Sequence, residues 1–337
     1  MKTRSFLLVF GLAAAAAFAQ TVENNWTPPK TAWGDPDLQG VYTTDDLQGV
    51  PLQRPKEFGT RRFLTEEEYA ARSKEVKSER STIDTGIRPT TGFWARVHGV
   101  DAAAAPAQWI EYARHASHLT SLIVDPPDGR LPPLTSEGEA RRKAQPNYYN
   151  LRPASWLDLS TYDRCITRGV TGSFFPSIYG NGSQILQAPG VVALRTEMIH
   201  ETRIIPLDGR PHASVGLRSY MGDPRGHWEG NTLVVETTNF IGGKVDVGGV
   251  PYSEDLKLVE RFTRVAPDVV DYQVTVDDPK TFTRPWTVEF PIKHEPGYRI
   301  FEYACHEGNR AMHNRLSAAR ALDREEAEKA ASSGSQH

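Results

Sequence analysis

Residues 270–276 read Val-Asp-Tyr-Gln-Val-Thr-Val, an unbroken alternation of apolar and polar side chains. Successive side chains of a β-strand point to opposite faces, so this alternation predicts a strand with one buried and one solvated face. Residues 286–292, Trp-Thr-Val-Glu-Phe-Pro-Ile, repeat the pattern. Further strands are predicted at 233–237, 256–265 and 298–305, and residues 190–205 predict either two strands or one long bent strand.

Turn signals rather than helices separate these strands. They are Glu229-Gly230-Asn231, Ala266-Pro267-Asp268 and Asp277-Asp278-Pro279. Consecutive strands with short connections pair as an antiparallel meander. Roughly eight to ten strands must hide their edges, so we predict a mainly β body. Closure into a barrel-like (lipocalin-like) body and folding into a sandwich both remain open.

The regions on either side of this body differ in composition and divide the chain into five parts. Residues 1–19 have the features of a signal peptide, and the turn-rich residues 20–60 predict an extended arm. Residues 61–171 predict a helical and irregular segment packed on the body. The antiparallel β domain then covers residues 172–308, and residues 309–337 predict a C-terminal helix and tail.

Three helices are predicted within the segment before the β domain. The first starts after Thr65 and runs to about Ser78, because Thr65 can cap a helix and Glu68 occupies the capping-box position. The second covers Pro106 to Leu119, where apolar residues recur at helical spacing. The third is a short helix from Thr135 to Ala144.

The first residues of the chain predict export. Lys2 and Arg4 precede an uncharged apolar run from Phe6 to Phe18, and the small residues around Ala19 form a cleavage pattern. Thirteen apolar residues are too few to cross a membrane, which takes about 20. We therefore predict a soluble periplasmic or secreted protein with no integral membrane segment after cleavage.

The charge of the mature chain argues against two classes of partner. The full sequence has a formal charge of −3, and removal of Lys2 and Arg4 with the signal changes it to −5. A mildly acidic chain without a basic cluster is not expected to bind nucleic acid or an anionic membrane. A small-molecule ligand is the expected partner, and the oligomeric state stays open.

The chain has two cysteines, Cys165 and Cys305. In an oxidising compartment an isolated pair favours a disulfide bond. Two unpaired, buried thiols are the alternative, because sequence does not show whether the two Cα atoms come within the reach of a disulfide.

The first candidate site is the segment from Glu197 to Arg203. On a continuous strand Glu197, Glu201 and Arg203 share a face with Arg195, while His200 points the other way. Charges of both signs on one face could line a polar cavity, orient a carboxylate or shift the pKa of a carboxyl group. The alternative is a solvated strand face with ion pairs of little energetic consequence.

The second candidate site contains Glu302 and His306, which share a face at the end of the strand predicted at 298–305. Projecting inward, they could act as a general acid/base pair. They could also supply two ligands of a metal site completed by His200 or His212. The metal alternative has weak support, since neither an HExxH nor a CxxC motif occurs. A purely structural histidine at the strand end is the other interpretation.

Four segments are more specific than a generic β protein requires. They are Ser121–Arg130 (SLIVDPPDGR), Arg203–His212 (RIIPLDGRPH), Trp228–Phe240 (WEGNTLVVETTNF) and Glu302–Asn309 (EYACHEGN). In this order, behind a signal peptide, the chain resembles a large family of uncharacterised exported bacterial proteins. The resemblance covers most of the mature chain and implies export, but it brings no activity. The chain departs from the family pattern at Pro224 and Asn231, where the family has Ser and Asp.

We therefore expect an exported enzyme without an organic cofactor that acts on a small organic molecule in the barrel cavity. His200 or His306, together with Glu201 or Glu302, would move protons, and Arg203 would orient an anionic group. Lyase, isomerase and hydrolase chemistry fit equally well. Two alternatives remain: a non-catalytic periplasmic small-ligand binder of lipocalin type, and an envelope-associated structural or interaction protein.

Overall fold

The computed structural model describes residues 26–84, 111–145 and 152–334. The predicted signal peptide lies outside these ranges. Within them the α-helices are α1 (Glu66–Asp84), α2 (Ser136–Ala144), α3 (Gly169–Phe174) and α4 (Arg310–Gly334). None of these helices is both long enough and apolar enough to cross a membrane.

Strands make up most of the body. Their bounds are β1 (Gly40–Thr43), β2 (Ile123–Asp125), β3 (Ser183–Ala188), β4 (Val191–Thr196), β5 (Thr202–Pro206), β6 (Asp223–Glu229), β7 (Thr232–Thr238), β8 (Asp246–Val247), β9 (Val250–Pro251), β10 (Lys257–Ala266), β11 (Val269–Asp277) and β12 (Trp286–His294). Ten strands form one antiparallel sheet in the order β5-β4-β3-β1-β12-β11-β10-β7-β6, with β2 also paired to β12, while β8 pairs with β9. The sheet begins earlier in the chain than predicted, because β1 lies in the expected arm.

The outer strands of this order, β5 and β6, lie next to each other and nearly close the sheet into a barrel. Side chains fill the seam between them. A Cβ atom at Gly226 would come within 2.6 Å of Leu207 and 2.8 Å of Ile205, so only glycine fits there without a shift of its neighbours. The prediction of a mainly β, antiparallel fold is confirmed, in its barrel-like form.

Alternate residues of the central strands fill the interior, as the period-two pattern predicted. The short helix α3 places Phe174 among the aromatic rings of the interior. The centroid of the Phe174 ring lies 4.5 Å from that of Tyr272 and 5.9 Å from that of Phe262. Full burial of each such ring stabilises a fold by about 1.5 to 3 kcal/mol. Around Phe174 the barrel interior is therefore packed by the protein's own side chains.

The predicted starts of the first and third helices are confirmed. The Thr65 backbone N–H donates to Glu68 Oε2 at 2.8 Å and the Glu68 N–H donates to Thr65 Oγ1 at 3.3 Å, which completes the capping box of α1. Thr135 caps α2 by accepting from the Gly138 N–H at 3.0 Å. The C-terminal helix is also present, as α4.

Two predicted elements are wrong. The helix expected at 106–119 is irregular over its described part, 111–119, because this segment bonds across to residues near Leu64; residues 106–110 lie outside the described ranges. The strand expected at 298–305 is also irregular, because it packs over the end of the barrel instead of joining the sheet. In the segment 190–205 there are two strands, β4 and β5, joined by a tight turn.

The predicted disulfide is present. Cys165 and Cys305 are bonded, with their Cα atoms 5.7 Å apart. The bond ties the irregular segment after β12 to the segment that precedes α3. This cross-link holds two distant parts of the chain against the same end of the barrel.

Candidate active site

One end of the barrel collects polar side chains from connections that are distant in sequence. β1 and β4 end there and β3 and β5 begin there, as shown by the neighbours Tyr42 and Ser183, Ser183 and Thr196, and Arg195 and Thr202. Residues that follow or precede these strand ends therefore meet at one edge of the sheet. We call this edge the polar end.

Two carboxyl groups share one amide at the polar end. Asn181 Nδ2 donates to Asp45 Oδ1 at 3.0 Å and to Glu111 Oε2 at 2.9 Å, and the Asn181 backbone N–H donates to the same Glu111 oxygen at 3.1 Å. The Asn181 side-chain oxygen accepts from the Ser177 N–H at 2.8 Å, which fixes the orientation of the amide. Asp45 lies just after β1 and Asn181 just before β3, so the strand ends bring the pair together.

The surroundings of Glu111 favour its protonated form. Burial first, and then the adjacent Asp45 carboxylate, raise the pKa of Glu111 from 4.5 to about 7, although backbone N–H groups of Asn181 and Gly180 oppose the shift. Two carboxyl groups this close do not ionise together easily, because the second charge is repelled by the first. Near neutral pH the pair can therefore both donate and accept a proton.

A third carboxyl group, Glu197, binds the segment that follows β12. Its Oε2 accepts from the Tyr298 hydroxyl at 2.6 Å and from the Phe301 N–H at 3.1 Å. Burial, the bond to Glu197 and the charges of Glu111 and Asp45 all raise the pKa of Tyr298. The Tyr298 hydroxyl therefore stays protonated in the field of three carboxyl groups.

The predicted site residue Glu201 lies nearby, half-buried. It accepts from the Thr167 hydroxyl at 2.8 Å and from the Ser173 hydroxyl at 3.4 Å. Burial raises the pKa of Glu201 against these hydrogen bonds. The structure brings Glu201 and Arg203 together, because both line one recess beside α3. That recess is too narrow to admit a water molecule.

The predicted site residue Arg203 is buried and paired with another carboxylate through its two Nη atoms, whereas its Nε atom has no hydrogen-bond partner. Its Nη1 and Nη2 atoms donate to the two oxygens of Glu260 at 2.9 and 2.5 Å, and Nη2 also donates to Thr237 Oγ1 at 3.2 Å. The Tyr272 hydroxyl donates to Glu260 at 3.1 Å. Arg203 therefore faces the barrel interior as half of a bidentate ion pair.

The single charged face predicted for the segment 197–203 is wrong. β4 and β5 are separated by a tight turn in which Ile199 and His200 have φ angles of 58° and 48°. This turn resets the alternation, so Arg203 points inward while Arg195 on β4 does not share its face. The four charges were expected to line one surface, whereas Glu201 and Arg203 share a recess, Glu197 binds Tyr298 and Arg195 faces away from Arg203.

The other predicted residues lie at the surface. His200 is exposed, and its Nδ1 lies 3.0 Å from the backbone oxygen of Tyr303, so the two predicted segments do meet. Glu302 and His306 are exposed on the irregular segment. The five residues therefore do not converge in one pocket, and their catalytic roles stay a prediction.

The proposed metal ligands also separate. His212 lies between two carboxylates of neighbouring strands, 3.1 Å from Asp223 and 3.3 Å from Glu236. Over the ranges that the structure describes, no three histidine, cysteine or acidic side chains are arranged to hold a metal ion.

No family model, curated protein or solved structure matches this chain. The resemblance to exported bacterial proteins therefore stays a prediction. Functional conclusions about the chain depend on the geometry of its own residues.

Sequence reasoning missed the carboxyl pair. Asp45 and Glu111 carry no periodic or motif signal, because Asp45 begins a single turn of 3-10 helix, Asp45–Leu47, and Glu111 lies in an irregular segment. Glu111 was hidden further by its place in the helix predicted at 106–119. A glutamate expected on a helix surface gives no reason to look for a partner after β1.

Proposed function

We propose that the protein is an enzyme that transfers protons on a small organic molecule bound at the polar end of the barrel. The observation that carries the proposal is the Asp45–Glu111 pair, in which one amide binds two carboxyl groups and the pKa of Glu111 is raised to about 7. Lyase, isomerase and hydrolase reactions share this proton-transfer step. Export to the periplasm or beyond belongs to the proposal and is supported by the disulfide.

The chemistry divides between the two carboxyl groups. Glu111, protonated near neutral pH, donates to the substrate, and the Asp45 carboxylate accepts. Asn181 keeps both oxygens at hydrogen-bonding distance from one amide, so the acid and the base keep their spacing. Acid and base groups positioned in this way typically accelerate a reaction by about 100- to 10,000-fold.

The ligand is proposed to bind at the polar end and not inside the barrel. Phe174 fills the interior at this end, and the recess beside Glu201 does not admit water. Arg203 is already bound by Glu260, so it is assigned no contact with substrate here. Glu111, Asp45 and Tyr298 supply the polar groups instead.

A substrate panel tests this function. Purified protein is offered small carbonyl compounds in heavy water, where proton NMR follows hydrogen exchange, together with activated esters and glycosides, where release of the leaving group is followed. We expect one class to react, with Glu111→Gln and Asp45→Asn each lowering the rate by about 100-fold or more. Glu67→Gln, on the exposed first turn of α1, is the matched control and should leave the rate unchanged.

An infrared pH titration tests the proton itself. The protonated-carboxyl band of Glu111 should disappear with a midpoint near pH 7, and this component should be missing in Glu111→Gln. Full activity of both carboxyl variants, or an ionised Glu111 throughout the neutral range, would refute the proposal.

A further inference from the structure

Three tyrosines form a hydrogen-bonded group, and one of them, Tyr179, lies two residues before Asn181. The Tyr162 hydroxyl contacts the Tyr179 hydroxyl and lies 2.9 Å from the Tyr303 hydroxyl. The rings of Tyr179 and Tyr303 are nearly parallel, with an interplanar angle of 7° and 6.4 Å between centroids. All three residues are partly exposed, so solvent or a small ligand can reach them. We call them the tyrosine trio.

The disulfide holds the trio together. Tyr162 and Cys165 belong to one turn, in which the Cys165 N–H donates to the Tyr162 carbonyl at 2.9 Å. Tyr303 and Cys305 belong to another, with the Cys305 N–H 2.8 Å from the Tyr303 carbonyl. Because the two cysteines are bonded, phenols from opposite ends of a long stretch of chain are placed against each other.

The hydroxyl groups of the trio all interact with one another. Tyr162 bonds to Tyr179 and to Tyr303, and Tyr303 also interacts with Tyr179. Burial raises the pKa of Tyr303 to about 12 and also raises that of Tyr162, so these groups remain protonated at neutral pH. Among the described residues no acceptor outside the trio takes one of its hydrogens, so a hydroxyl group can turn from its neighbour to a ligand.

The backbone that carries Tyr179 is bonded to the segment of the acid and leads to the amide that holds both carboxyl groups. The Glu111 N–H donates to the carbonyl of Ile178 at 2.9 Å, and Tyr179 is the next residue. Asn181, which holds both carboxyl groups, follows two positions later. A positive charge is also present: the Arg168 guanidinium lies 5.1 Å above the centre of the Tyr162 ring. Hydroxyl donors and a cation together favour a negatively charged oxygen.

We propose that the tyrosine trio is an oxyanion site and that the substrate is a small carbonyl compound with an acidic C–H bond next to the carbonyl. This inference rests on the proposed function. Hydroxyl donors placed where charge develops are among the largest contributions to catalysis, and phenols serve this role for enolates.

The step balances without any further reactant. The Asp45 carboxylate takes the proton from carbon, the electrons of the C–H bond form the C=C bond, and the carbonyl π electrons move to oxygen. The trio hydrogen-bonds to this oxygen without giving up a proton. Glu111 then returns its own proton to the same carbon as the C=O bond forms again. The product is the carbonyl compound with that hydrogen exchanged or that carbon inverted, and the carboxyl pair keeps the same total number of protons.

Pentafluorophenolate is the probe, because it is anionic at neutral pH and carries its charge on an oxygen, as an enolate does. Binding to the full-length mature protein is followed by fluorine NMR, with uncharged pentafluorobenzene as the matched probe. We expect the phenolate to bind and pentafluorobenzene to bind at least tenfold more weakly. Tyr162→Phe and Tyr303→Phe should each weaken phenolate binding by about 10-fold or more, since each removes a donor to a charged group. Tyr69→Phe, which removes a hydroxyl on α1, should not.

Tyr162→Phe and Tyr303→Phe test the same site independently. Each variant is used only if its urea midpoint matches that of the parent protein, which excludes a folding defect. Equal binding of the two probes, or phenolate binding unchanged in both tyrosine variants, overturns the oxyanion site. That result leaves the proposed function standing if Glu111→Gln still abolishes turnover. The converse result is that the tyrosine variants weaken phenolate binding while Glu111→Gln and Asp45→Asn leave turnover unchanged. That result supports the anion site and refutes the acid–base function.

Discussion

Replacement of Glu111 by glutamine is expected to stabilise the protein at alkaline pH. The folded state holds the Glu111 proton up to a pKa of about 7, whereas the unfolded chain releases it near 4.5. Between these values the folded state binds more protons, so the free energy of unfolding falls as pH rises. The stability is complete below about pH 4.5 and is lost as pH rises through about 7.

The size of the effect follows from the shift. Each unit of pKa difference corresponds to about 1.4 kcal/mol, so the ionised Glu111 costs the folded protein about 3 kcal/mol at alkaline pH, or about 2 kcal/mol after allowance for partial exposure. Glutamine has the same shape, and its oxygen can still accept from Asn181. Glu111→Gln should therefore be more stable than the parent by about 2 to 3 kcal/mol near pH 8. Near pH 4 it should be about equal.

Urea unfolding of both proteins at several pH values measures this difference. With a slope of about 3 kcal/mol per molar urea, the midpoint of Glu111→Gln should lie about 1 M higher near pH 8. Glu67→Gln controls for the loss of one negative charge at an exposed position. A difference in stability that does not change with pH, or a variant less stable than the parent near pH 8, would refute the account of the carboxyl pair.

Three further changes test the packing of the barrel. Arg203→Met should cost about 3 to 5 kcal/mol because it leaves Glu260 buried and unpaired, whereas adding Glu260→Met should restore most of it; urea unfolding that shows additive losses would contradict this. Cys165→Ser with Cys305→Ser should cost about 5 kcal/mol, from the entropy of an opened loop of 140 residues, and an unchanged thermal midpoint would count against it. Asp271→Asn should stabilise the protein above about pH 7 and not below about pH 4, because burial and a neighbouring carboxylate raise the pKa of Asp271 to about 7; a flat pH profile of the difference in urea midpoint would exclude it.

The sheet could be predicted because burial of one face of a strand makes apolar and polar residues alternate in the sequence. The same rule contained an unused signal for the interior. Glu260 stands between Leu258 and Phe262 at the spacing of inward-facing residues, and all three are buried. A charged residue at such a position needs an opposite charge inside the barrel. Arg203 is that partner.

The turn between β4 and β5 could not be predicted in the same way. A positive φ angle is unusual for a β-branched residue, so Ile199 gives no turn signal. Tertiary contacts hold it there: Ile199 is buried, the Glu197 N–H donates to Gly182 at 2.8 Å and the Thr196 N–H donates to Glu201 at 2.9 Å. The prediction of a single charged face was wrong because tertiary packing, and not local sequence preference, determines the backbone conformation at this turn.

The two ends of the barrel differ in a way that bears on function. The connections β3–β4, β6–β7 and β10–β11 are two-residue turns, and they lie at the end opposite to the polar end. At the polar end long segments return to the barrel and need side chains to hold them, which Asn181 and Glu197 do. A purely structural clamp, however, has no need for an acid. Glutamine at position 111 would make the same contacts with Asn181 without the electrostatic cost of a second carboxylate beside Asp45. A group that destabilises its own fold at neutral pH is typical of functional sites, and for this reason we assign Glu111 to chemistry rather than to packing.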